Sequence, residues 1–229
     1  MKKITKKLAK KIVKNHNRKV SRDNAYFETL KPAEKRVAIA RDVLAQIALK
    51  RFKPVSGFWI TTPGNKGDIF NEKDVKKDPE LQSIFQKTKQ CDGCAIGGMF
   101  MCAVERSDKL KLSELECVKS FKEQVKYHDS HPNDVSPKLR EEISEEDAFD
   151  YLGKFFSKDQ LEMIEVAFEQ GGGAISKFDC NTEALQFVEK VEEPADRMKL
   201  IMQNIVVNKG KFCPDKKPVQ VWATPGFLG

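Results

Sequence analysis

Apolar residues recur at helical spacing along most of the chain, and the pattern predicts a mainly α-helical protein. Pro32 opens the first core-facing helix, since proline lacks only an N–H that the first turn leaves unpaired anyway. Val37, Ala40, Val43, Leu44, Ile47 and Ala48 then share one face to about Lys50, and Pro54 stops the run. Shorter helices are predicted at 79–88, carrying Leu81, Ile84 and Phe85, and at 112–125, carrying Leu115, Val118, Phe121 and Val125. Residues 137–152 read as a helical stretch with an acidic outer surface, ended by Gly153. Ser157 and Gln160 have the spacing of a capping box ahead of Leu161, Ile164, Val166 and Phe168. Gly171, Gly172 and Gly173 end that helix, and Thr182 caps the next, which bears Leu185 and Val188. Pro194 starts the last helix, with Met198, Ile201, Met202 and Ile205 inward and Asn208 and Gly210 at its end.

One segment breaks the amphipathic rule. Residues 93–104, GCAIGGMFMCAV, form the longest uncharged apolar run of the chain. A helix made of them is apolar on every side and belongs inside the protein. At about 1.5 Å per residue it spans about 18 Å, too short to cross a bilayer. Gly97 and Gly98 each weaken such a helix by about 1 kcal/mol relative to alanine, so their predicted use is close approach of a neighbouring backbone. This segment is the predicted centre of the molecule.

The β signals are few. Residues 57–61 are aromatic and β-branched and close on a Pro63-Gly64 turn, whereas 64–78 read as a polar surface loop. The chain turns β-like again at 211–213 and 219–223, where Trp222-Ala223-Thr224-Pro225-Gly226 echoes the sequence around Trp59. A small sheet formed by segments near 57–61 and the C-terminus is therefore expected. Residues 127–134 have turn composition.

Charge is distributed unevenly. The net charge is +7, yet residues 1–20 hold nine Lys or Arg and no acid, leaving the other 209 residues at −2. Ile4, Leu8, Ile12 and Val13 give this stretch the spacing of a basic amphipathic helix. The organisation expected is a basic arm over 1–31 and one helical domain over 32–229. Residues 1–19 lack the apolar core of a secretory signal, and six sparsely placed cysteines suit a reducing cytoplasm.

Candidate chemistry is thin. Cys91 and Cys94 form a C-x2-C and His128 and His131 an H-x2-H, which together have the donors for a tetrahedral zinc site. The histidine spacing is shorter than usual, and Cys94 begins a segment that belongs in the core. A cysteine nucleophile served by His128 or His131 has no local support. The glycines at 171–173 follow a helix and lack phosphate-loop spacing, and the acids between Glu141 and Asp150 lack a calcium-loop ladder. The arm residues Lys3, Lys6, Lys7, Lys10, Lys11, Lys14, Arg18 and Lys19 are candidates for contact with nucleic acid. Trp59 and Trp222 are candidates for a ligand cleft, where an indole stacks on a base.

The segment Cys94-Ala95-Ile96-Gly97-Gly98-Met99-Phe100 resembles the core helix of a family of uncharacterised bacteriophage and bacterial proteins. The helix before it (36–47), the later helix at 155–165, and the residues 198–205 and 210–212 are similar in kind. The resemblance implies a cytoplasmic phage or bacterial origin and a shared fold, and it brings no catalytic residues. The function expected is that of a non-enzymatic accessory protein without a cofactor, binding a host protein or a small nucleotide ligand in a counter-defence role. Two alternatives stand beside it: nucleic-acid binding through the basic arm, and a zinc-stabilised module or enzyme. No membrane partner is expected.

Overall fold

The computed structural model describes residues 25–57, 59–62, 69–107, 110–132, 134, 136, 143–169 and 191–213. It is mainly helical, with a small three-stranded mixed sheet. The helices are α1 (Pro32–Ala48), α2 (Glu72–Lys77), α3 (Leu81–Lys87), α4 (Ala95–Ser107), α5 (Glu116–Ser130), α6 (Glu145–Leu152), α7 (Lys158–Glu169) and α8 (Pro194–Val207). The strands are β1 (Phe52–Pro54), β2 (Ile60–Thr61) and β3 (Cys91–Gly93).

Helix α4 is the predicted central rod. Every residue from Ala95 to Glu105 is buried, as a helix with no polar face requires. It touches α1, α3, α6, α7 and β1. Its two glycines serve different neighbours. A Cβ at Gly97 would fall on the carbonyl oxygen of Trp59, a backbone atom, while one at Gly98 would meet the ring of Phe52 at 2.7 Å. The Trp59 carbonyl also accepts the Cys94 N–H at 2.9 Å, so β2 is pinned against the start of the central helix.

The sheet has the order β1-β3-β2. β1 runs parallel to β3 in the register Phe52–Cys91, and β2 antiparallel in the register Ile60–Gly93. The sequence placed β2 near 57–61 but read 91–94 only as the approach to the central helix. In fact Cys91–Gly93 is the middle strand. The proposed C-terminal member, 219–223, lies outside the described residues, as do the helices read at 1–15 and 182–188. Lys211 to Cys213 forms no strand; Phe212 instead buries its ring fully, and its N–H and C=O pair with the Gln160 amide at 2.7 and 3.0 Å. The capping box at Ser157 is therefore half made. Ser157 accepts the Gln160 N–H at 3.3 Å, but the Gln160 side chain faces Phe212.

Two segments read as polar connections are helical. α2 lies within the expected loop, capped by Asn71, which accepts from Lys73 and Asp74, and closed by Asp78 at φ 46. Its single buried residue, Val75, gives no periodic signal. α5 continues to Ser130, so Tyr127 to Ser130 is its last turn and not a loop. There the Tyr127 ring stacks on His131 at 4.2 Å, which favours one more turn over chain reversal.

Aromatic edges link the central helix to the beginning of the described chain. Phe85 meets Phe100 at 6.1 Å, Phe100 meets Tyr151 at 5.5 Å, Tyr151 meets Phe155 at 6.1 Å, and Phe155 meets Phe27 at 5.9 Å. All are edge-on, the geometry that sets a positive ring edge against a negative face. Arg36 of α1 ties the same corner together, donating to the carbonyls of Gly210 and Phe155.

A candidate ligand groove on the first half of helix α1

Residues 25–31, the first half of α1 and the end of α8 enclose an open groove of about 690 Å3. Its floor is apolar, made of Phe27, Leu30, Val37, Ala38 and Val206. The rim is basic. Lys31, Arg41 and Lys209 are exposed there, and half-buried Arg106 reaches in from the end of α4. Arg106 donates to the Asp42 carboxylate at 3.0 Å, while its Nε is buried and finds no hydrogen-bond partner. Glu34 is the one acid among the described lining residues, and it accepts the Lys31 N–H at 2.9 Å, capping its own helix. From Ala33 to Arg41 the groove follows nine residues of helix, a rise of about 12 Å.

Tyr26 stands at the edge of this groove with 66% of its surface exposed. Its support is firm. The neighbouring Phe27 is fully buried against Phe155, and the Lys35 ammonium sits 5.1 Å over the Phe27 ring while bonding Glu28 at 2.9 Å. Thr29 donates to the Tyr26 carbonyl at 2.7 Å. The groove is thus an apolar trough edged by cations and one open aromatic ring.

The residues singled out from the sequence fall elsewhere. Trp59 is half-buried at the core boundary and packs edge-on to Phe149 at 6.3 Å. Trp222 and the arm residues Lys3 to Lys19 lie outside the described residues. Cys91 and Cys94 are buried beside β3, whereas His128 is half-buried and His131 exposed at the end of α5. The two pairs do not converge, and no group of three or more metal-type donors occurs among the described residues.

The thiols are poorly placed for chemistry. Burial pushes Cys91 and Cys94 up to about 12 and Cys117 up to about 11, and it raises fully buried Cys102 as well. Such groups stay protonated at neutral pH, the opposite of what activates a cysteine nucleophile.

A second polar cluster lies inside, behind Arg106. Glu105 is buried, pairs with Arg51 at 3.0 Å and accepts from Gln46 at 3.0 Å. Burial raises its pKa above the ordinary value, with Asp42 adding to the effect and Arg51 and Arg106 opposing it. The folded state therefore holds this proton to higher pH than the unfolded state. Its contribution to stability is complete below the ordinary glutamate value of about 4.3 and is lost as pH rises through the raised one. Glu105→Gln is expected to flatten that part of the stability–pH profile. Urea unfolding of both proteins from pH 4 to 8 checks this, and parallel profiles would contradict it.

The sequence did not point to Arg41, Arg106 or Lys209. Val37 was read as part of the core face, and the structure leaves it half-buried at the groove beside Ala38 and exposed Arg41. Tyr26 was visible only as the first aromatic after the lysines. No helix among the described residues is long and apolar enough to cross a membrane. Compared with known proteins, the chain matches no family profile, no curated protein and no solved structure, so the functional reading rests on the groove itself.

Proposed function

We propose that the protein is a non-enzymatic binding protein whose ligand is a nucleic-acid-type polyanion, held by the groove on α1 and by the basic arm that precedes it in sequence. One observation carries this reading: Lys31, Arg41, Arg106 and Lys209 edge a single groove that only Glu34 offsets among its described lining residues. The nine basic residues of 1–20 end shortly before Tyr26, which extends the same sign of charge along the chain. Phosphate contacts of this kind release counterions and steer association. Following the resemblance of the 94–100 segment, the setting proposed is a bacterial cytoplasm and the role accessory, as in counter-defence by sequestering such a ligand. A second reading, a small nucleotide bound in the groove alone, is favoured by the volume of about 690 Å3, within the usual range for small-molecule sites.

The test is fluorescence-anisotropy titration of a labelled 15-nucleotide strand at 50 mM KCl. The intact chain is expected to bind, and the triple variant K31E/R41E/K209E to bind on the order of 100-fold more weakly. These three side chains are exposed, so the variant should keep its fold. Absence of binding by the intact chain, or equal affinity for the two proteins, would refute the reading.

A further inference from the structure

We infer that the groove selects single-stranded nucleic acid, by stacking an unpaired base on Tyr26 while Arg41, Arg106 and Lys209 hold the neighbouring phosphates. The inference rests on the polyanion reading above and adds what that reading leaves open: whether the ligand is recognised by charge alone. Tyr26 carries the argument. It is the one exposed aromatic ring among the described residues lining the groove, and the buried Phe27 and the Lys35–Glu28 pair fix the backbone that presents it. A ring left open on a fixed support, next to cations and above an apolar trough, matches the way single strands are held: cations follow the backbone while aromatic faces take the bases. A duplex keeps its bases stacked inward and cannot offer one to Tyr26. The span of about 12 Å between Ala33 and Arg41 admits only a short stretch of strand.

Arg106 supplies the second observation. Asp42 holds one guanidinium nitrogen at 3.0 Å while Nε stays buried and unbonded. The ion pair fixes the side chain at the groove wall with 25% of its surface exposed, and that exposed part is what a phosphate would meet. Charge complementarity sets a strand above an acidic peptide, because the peptide brings no planar group to match the ring.

The experiment compares four labelled probes on the full chain: a 15-nucleotide DNA strand, the same strand in RNA, an abasic phosphodiester strand of equal length, and a 15-base-pair duplex. An oligoglutamate peptide competes with each. The base-bearing strands are expected to bind at least about tenfold more tightly than the abasic strand or the duplex. Tyr26→Ala should remove about that factor for the base-bearing strands and leave the abasic strand unchanged, with Tyr26→Trp restoring it. Tyr26 is largely exposed, so loss of folding does not confuse the result. If abasic and base-bearing strands bind equally, if the duplex binds more tightly, or if oligoglutamate competes as well as DNA, stacking is wrong while polyanion binding stands. Failure of all four probes to bind removes both readings.

Discussion

Gly97→Ala is expected to destabilise the protein by about 2 kcal/mol or more, against the trend for a helix interior. Alanine is the better helix former by about 1 kcal/mol, and an unobstructed glycine would gain from the exchange. Here the added methyl falls on the Trp59 carbonyl oxygen. That oxygen cannot step aside cheaply, because it accepts the Cys94 N–H at 2.9 Å and the next residue, Ile60, is registered against Gly93 in the sheet. Overpacking against fixed backbone costs about 1–3 kcal/mol or more, which exceeds the gain in propensity. In a chain of this size the melting temperature should fall by about 2–4 °C per kcal/mol. Gly153→Ala is the control, since that residue already has ordinary helical angles, φ −56 and ψ −21, and should change stability much less. A Gly97→Ala protein that melts at or above the parent temperature would show that α4 is not clamped by this contact.

Phe100→Ala should be costlier still, at about 3–5 kcal/mol. Phe100 is fully buried in the middle of α4 and meets Phe85 and Tyr151 edge-on, so truncation removes contacts toward both α3 and α6. The rings on either side are fixed by their own helices and cannot close the space. A loss of this size is a large part of the 5–15 kcal/mol that typical domains possess. Urea denaturation measures it, and Phe100→Leu should lose clearly less because it leaves a smaller void. A loss below about 1 kcal/mol for the alanine variant would mean that the aromatic chain is not a structural unit.

The fold was legible where periodicity is strong. α1 and α8 begin at Pro32 and Pro194 as their sequences indicate, and the uncharged segment forms the buried rod its composition demands from Ala95 onward, Gly93 belonging to β3. Legibility failed where structure depends on partners distant in sequence. Cys91–Gly93 is a strand only because Phe52 and Ile60 flank it, and nothing local says so. α2 has a good cap and a single apolar contact, so its signal lies in Asn71 and Asp74 and not in spacing. Tyr127 and His128 have turn composition, yet they complete α5.

The candidate site was less legible than the fold, for the same reason. Its cations come from residues 31, 41, 106 and 209, on α1 and α4 and on the turns just before α1 and just after α8, and only folding assembles them. The sequence offered instead the residues that are conspicuous in one dimension: two cysteines, two histidines and two tryptophans. The structure buries the cysteines, leaves the histidines on an outer helix end, and packs Trp59 against Phe149. Basic character in the totals comes from residues 1–20, and the charge excess at the groove is too small to register there.

The most direct measurement is the salt dependence of binding to a 15-nucleotide strand between 50 and 250 mM KCl, for the intact chain and for K31E/R41E/K209E. If the groove holds phosphates, the intact protein gives a steep negative slope of log Kobs against log salt. The triple variant then gives a slope shallower by about 2, from three lost contacts at about 0.7 each. Superimposable slopes and affinities would contradict the account, since the strand would then be held somewhere other than the groove on α1.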